Sequence, residues 1–165
     1  MPLLSSRAPR PALADHPEFP LMLAATLGRF HCTLGEIRED YWQGRIWRAL
    51  SEDPELESRV ARHGVNTVLL FGRNGGSPPA SVRERERFER YVRCRITADT
   101  KRLPEGWGLS MRWAEGPASI QTMSARSLLA QTIVDDPRWM DLHEYQADLS
   151  PILLPACSME GVIAA

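Results

Sequence analysis

The chain has 165 residues, 43% of them hydrophobic and 25% charged, a length that suits one compact domain with a side element and leaves two full domains cramped. Cys32, Cys94 and Cys157 are odd in number and far apart, which argues against a secreted disulfide scaffold and for a cytoplasmic setting. The longest apolar stretch, 19–28, is half the ~20 residues of a membrane span and follows Asp15 and Glu18, so neither a signal peptide nor a membrane partner is expected.

All twenty basic residues but Lys101 are arginine, whose planar fork matches phosphate and carboxylate alike. Residues 1–102 carry 17 basic against 13 acidic side chains, and residues 103–165 carry 3 against 8. A net charge of −1 argues against strong nonspecific DNA binding while leaving room for a local basic face.

Residues 1–20 contain Pro2, Pro9, Pro11, Pro17 and Pro20 without a hydrophobic period, which predicts an extended arm. Residues 21–165 then form a single α+β domain, helical over 21–64 and mixed over 65–165. Leu21, Leu23, Ala24 and Leu27 predict a short helix over 21–30. Thr33 and Glu36 have the spacing of a capping box, opening a second helix over 34–50 with Leu34, Ile37, Tyr41, Trp42, Ile46 and Leu50 inward. Asp53-Pro54 predicts a third helix, carrying Leu56 and Val60 and stopping at Gly64. Residues 65–71 read as a buried strand and 72–79 as a loop. Ser81 and Glu84 open a charged helix to about residue 90.

Two periods compete over 91–98. Tyr91, Arg93, Arg95 and Thr97 alternate with Val92, Cys94, Ile96 and Ala98, whereas Phe88, Val92 and Ile96 share a helical spacing. The alternation of Trp107, Leu109, Met111 and Trp113 supplies a pairing partner across residues 101–106, so a strand is expected. Further on, a helix over 124–134 with Leu129 and Ile133 inward is followed by one begun at Asp136-Pro137 with Trp139, Leu142 and Tyr145, then an apolar tail over 150–165. The expected fold is α+β: an N-terminal helical hairpin or three-helix region, then a small antiparallel sheet with two further helices.

Three segments bear on function. Ala24, Gly28, Leu34 and Ile37 have the spacing of a helix-turn-helix, but Glu36, Glu39 and Asp40 on the second helix oppose phosphate, so a plain helical hairpin is the better reading. The basic segment Arg83, Arg85, Arg87, Arg90, Tyr91, Arg93, Arg95, Lys101 and Arg102 can clamp phosphate beside an aromatic ring. On a strand, Tyr91, Arg93 and Arg95 would project together, although Glu84, Glu86 and Glu89 could instead pair with the arginines along a helix. Residues 72–77, Gly-Arg-Asn-Gly-Gly-Ser, lie between a strand and a capped helix as a phosphate cradle would, yet match neither the P-loop nor the dinucleotide fingerprint.

No His/Cys spacing predicts a metal site, and no catalytic residue or cofactor is assigned. Trp42 and Trp47 stand ~140° apart around a helix and cannot both enter one narrow core, so Trp47, beside Arg48, is expected to meet a partner. Together these readings predict a non-enzymatic regulatory protein of bacterial or phage type acting on nucleic acid or a nucleoprotein complex through Arg83, Arg87, Arg90, Tyr91, Arg93, Arg95, Lys101 and Arg102. The alternatives are a protein-interaction module using the arm, Trp47 and the acidic C-terminal region, and a small enzyme with a phosphate loop.

Overall fold

The structure, a computed structural model, describes residues 10–64, 66–99, 109–115 and 120–157. Helices α1 (Phe19–Arg29) and α2 (Leu34–Ser51) form the predicted hairpin, and the Thr33 hydroxyl caps α2 by accepting from the Glu36 N–H at 3.1 Å. Strands β1 (Val60–His63) and β2 (Thr67–Leu70) follow, then α3 (Val82–Asp99), β3 (Ser110–Trp113), β4 (Ile120–Ala125), α4 (Leu128–Val134), α5 (Gln146–Leu149) and β5 (Ile152–Cys157). The fold is α+β. Its sheet is five-stranded in the order β3-β2-β1-β5-β4, with antiparallel pairs β1/β2 and β4/β5 joined by parallel pairs β2/β3 and β1/β5. The parallel pairing of β2 with β3 follows from α3, a crossover long enough to return the chain to the end of the sheet where β2 began.

Helix α2 lies between two cores. Ile46, Trp47 and Leu50 face the sheet, packing with Val60, Val68, Leu70 and Leu154 and with Phe88, Tyr91, Val92 and Ile96 of α3. Ile37 and Tyr41 face the other way, toward Leu13, Met22 and Leu23 and toward Leu129, Ile133, Trp139 and Leu142. On the opposite side of the sheet, Ala61, Leu69, Phe71 and Ala114 make a third buried cluster. Asp136 caps its turn as its position predicts, accepting from the N–H group of Arg138, and Ser127 caps α4, accepting from that of Ala130.

Four expectations are corrected. Residues 91–98 are not a strand but the second half of α3, because Phe88, Val92 and Ile96 at helical spacing bury more apolar surface against α2 and the sheet than alternation would. The third helix is a single 3-10 turn, Pro54–Leu56; Ser58, at φ 61°, then redirects the chain so that Val60 and Ala61 enter the sheet, and Gly64 takes its left-handed conformation beyond β1. The helix expected over 124–134 begins only at Leu128, with Ala125 still in β4. The extended arm, of which residues 1–9 lie outside the described residues, is interrupted by a 3-10 helix over Leu13–Asp15: Leu13 is fully buried, and its N–H donates to Asp148 at 2.8 Å.

Trp47 is also corrected. It is 1% exposed, its indole N–H donating to Gln43 at 3.2 Å, while Trp42 packs edge-on to Tyr41 in the other core. Two cores on one helix accommodate two tryptophans that a single core could not.

Candidate functional site

Helix α3 begins where the Ser81 hydroxyl accepts from the Glu84 N–H at 3.3 Å, so the second capping box forms as spaced. At ~100° per residue, positions 83, 87, 90 and 94 fall within a sector of about 60° on one side of the helix. Arg83, Arg87, Arg90 and Cys94 are all exposed there. The inward face carries Phe88, Tyr91, Val92, Arg95 and Ile96.

That division sorts the predicted binding residues. Arg83, Arg87 and Arg90 share the outer stripe; Arg93 is exposed beside Glu86, off the stripe. Arg95 and Tyr91 turn inward to the buried Asp53: the Tyr91 hydroxyl donates to Oδ2 at 2.7 Å, and Arg95 Nε lies 3.3 Å from the same oxygen. Burial, followed by the Asp53 carboxylate, holds the Tyr91 phenol well above its ordinary range. The expected triplet of Tyr91, Arg93 and Arg95 is thus divided between solvent and core. Lys101 and Arg102 lie outside the described residues. Arg48 is also engaged internally, donating to the Ser150 carbonyl and lying 3.5 Å from Glu52; it is corrected, with Trp47, as a partner contact.

Among the described residues no ion pair joins an α3 glutamate to an α3 arginine. Glu89 instead accepts from the Trp113 indole at 3.4 Å. The arginines of the stripe are therefore not neutralised along their own helix.

Beside the stripe opens a cleft of about 600 Å³, bordered by Arg59, Arg73 and Arg87, by Glu55 and Glu84, and by the rings of Phe88 and Tyr91. The volume is within the usual range for small-ligand sites. Arg59 is set by two contacts: its guanidinium lies 3.8 Å from the Phe88 ring centroid, and its Nε donates to the Phe71 carbonyl at 3.3 Å. Partial burial, and then the neighbouring charge of Arg73, lower its affinity for its proton. Two cations that weigh on each other across a cleft favour an anion between them.

The glycine loop brings Arg73 there. Gly72 N–H donates to Gly76 O at 2.9 Å, Gly75 N–H to Gly72 O at 3.2 Å and Gly76 N–H to Arg73 O at 3.1 Å. These donors close the loop on itself and are not offered to a ligand, so a backbone phosphate cradle of the P-loop kind is not built here. A Cβ at Gly72 would stand 1.9 Å from the Ser77 carbonyl oxygen, which is why the turn requires glycine.

Arg59 and Glu55 were missing from the sequence reading. The only signal for them was their position beside Asp53-Pro54, which the helical reading of that segment obscured. In the helix-turn-helix frame Ile37, Tyr41, Gln43, Arg45, Ile46, Trp47, Ala49 and Leu50 of α2 are buried, and the exposed N-terminal part of the helix carries Glu36 with Arg38. Among the described residues no group of three or more His, Cys, Asp or Glu side chains could hold a metal ion, and no helix is long and apolar enough to cross a membrane.

No protein-family model, curated protein or solved structure matches the chain.

Proposed function

We propose that this chain is a nucleic-acid-binding regulatory protein that grips the phosphate backbone, of a free strand or of one within a nucleoprotein complex, along the outer stripe of α3. The observation that carries this reading is the alignment of Arg83, Arg87 and Arg90 on one exposed sector, unpaired with α3 glutamates and continuous through Arg87 with the Arg59–Arg73 cleft. Phosphate contacts by arginine fix a strand in register without demanding a particular sequence. The near-neutral total charge makes this a local grip, and the three free cysteines fit a reducing, cytoplasmic setting. The reading as a protein-interaction module loses support, since Trp47 is buried and the chain from Arg10 is fastened to the core.

The test is affinity for single- and double-stranded oligonucleotides at several salt concentrations. Three phosphate contacts on a single strand give a log–log salt slope near −2, so binding should weaken about 20-fold between 50 and 200 mM salt. The combined variant R83A/R87A/R90A should lose both the affinity and the slope. Unchanged binding in that variant, or no binding by the wild type at low salt, rejects the proposal.

A further inference from the structure

The cleft beside the stripe differs from it in chemistry. The stripe presents arginines in a row to open solvent, as a continuous backbone would need. The cleft gathers Arg59, Arg73 and Arg87 from three separate segments around one space, with an aromatic wall of Phe88 and Tyr91 and two carboxylates, Glu55 and Glu84, at its border. Its lining therefore suits one compact ligand having a concentrated negative charge.

Charge decides which phosphate fits. An internal phosphodiester carries one negative charge, whereas a phosphate monoester carries about −1.5 to −2 near neutral pH. Arg59, Arg73 and Arg87 outnumber Glu55 and Glu84 at the cleft; the charge of Arg73 lowers the proton affinity of Arg59 and that of Glu55 raises it, which leaves an excess of positive charge for an anion. An internal nucleotide would also carry flanking phosphates past Glu55 and Glu84, which repel them. A terminal nucleotide has one charged end for the arginines and leaves the carboxylates to accept from sugar hydroxyl or base amino groups.

We infer that the cleft is a nucleotide pocket for a terminal phosphate monoester, held by Arg59 and Arg73 with Arg87 linking it to the stripe. This deepens the proposed nucleic-acid reading and rests on it for the source of the nucleotide, namely a phosphorylated strand end. The same chemistry is available from a free nucleoside monophosphate.

The experiment compares one single-stranded DNA sequence in four forms, 5′-phosphorylated, 3′-phosphorylated, unphosphorylated and circular, alongside free adenosine monophosphate. Arg73→Ala is the chosen variant, since Arg73 is exposed and has no partner within the core among the described residues, and Arg83→Ala serves as the stripe control. A phosphorylated end should tighten binding at least tenfold over the hydroxyl end. R73A should abolish that preference while leaving affinity for the circle unchanged, and R83A should weaken all four forms. Equal affinity for phosphorylated and unphosphorylated strands overturns the pocket and leaves the stripe standing. If adenosine monophosphate raises the Tm in an Arg73-dependent way while no strand binds, the pocket stands with the free nucleotide as its source and the nucleic-acid reading fails. If neither strand nor nucleotide is bound, both are rejected.

Discussion

The Tyr91 hydroxyl donates to Asp53 Oδ2 at 2.7 Å, within a buried group completed by Arg95 four residues further along α3. The other core repeats the arrangement: Tyr41 donates to Asp148 Oδ2 at 2.6 Å, and Arg45, four residues on along α2, pairs with Oδ1 of the same carboxylate. In each case helical spacing places a phenol and a guanidinium on one face, and an aspartate from a distant segment receives both. Asp53 thereby fixes the turn after α2 to α3, and Asp148 fixes α5 to α2.

Removing Asp53 strands a guanidinium that is 5% exposed. Asp53→Ala should therefore cost about 3–5 kcal/mol. Tyr91→Phe keeps the Arg95 pair and the Glu55 N–H bond and should cost only about 1.5 kcal/mol, the worth of one hydrogen bond to a charged group. Urea unfolding of the two variants checks this order; equal losses would contradict it.

Asp148 also accepts from Leu13 N–H, and the Tyr41 hydroxyl accepts from Ala14 N–H at 3.1 Å. In Asp148→Ala the amide hydrogens of Leu13 and Ala14 should lose their exchange protection, with a stability loss of the same ~3–5 kcal/mol as above. Hydrogen exchange resolved by residue is the measurement, and retained protection at both amides counts against the anchoring role of Asp148.

Glu52 receives Arg10 in a two-point contact and lies 3.5 Å from Arg48. Burial opposes its ionisation, but the hydrogen bond and charge of Arg10, then those of Arg48, outweigh it and hold the carboxyl below its usual range. A folded-state pKa below the unfolded value, about 4.3, means the stabilisation is complete above that pH and is lost as pH falls through the folded value. The Tm of the wild type should exceed that of Glu52→Gln at pH 7, with the gap closing below about pH 4. A gap that does not narrow as the pH falls contradicts the assignment.

Gly72→Ala forces a methyl group against a backbone carbonyl that cannot swing aside. The loop must reopen, so the variant should lose more than ~2 kcal/mol and displace Arg73. Ser58 holds a left-handed conformation at φ 61° in which a Cβ costs about 1–2 kcal/mol. Ser58→Gly recovers this, offset by the greater freedom of its unfolded chain, and should gain about 0.5 kcal/mol. Thermal unfolding of the pair tests opposite signs at neighbouring turns.

Cys94 stands on the arginine stripe, one turn beyond Arg90, and is exposed, whereas Cys32 and Cys157 are half-buried elsewhere. A bound oligonucleotide should slow alkylation of Cys94 several-fold and leave the other two rates unchanged. Equal protection of all three thiols, or of none, is incompatible with a strand lying on this face of α3.

Much of the local structure was legible in the chain. The capping oxygens of Thr33 and Ser81 and the caps of the Asp-Pro pairs at 53–54 and 136–137 form as spaced, because a cap is a contact between residues two or three apart and needs nothing from the rest of the fold. Residues 91–98 were ambiguous for a different reason. Alternation and helical spacing coexist there, and what separates them is the apolar face of α2 and the sheet against which Phe88, Val92 and Ile96 pack.

The candidate site divides along the same line. Arginine density near residue 90 was visible from composition, and so was a glycine loop between a strand and a helix. Which arginines reach solvent depended on Asp53, 38 residues before Tyr91, whose buried carboxylate draws Tyr91 and Arg95 inward and leaves Arg83, Arg87 and Arg90 outside. The meeting of Arg59 with Arg73 required the chain to turn at Ser58 and again at Gly72. Short-range hydrogen-bond geometry is written in neighbouring residues, and so the caps at Thr33, Ser81 and Asp136 and the α+β class were readable from the chain alone. Burial is a property of surfaces brought together from distant segments, and it was their packing that selected which charges were paired inside and which stayed exposed.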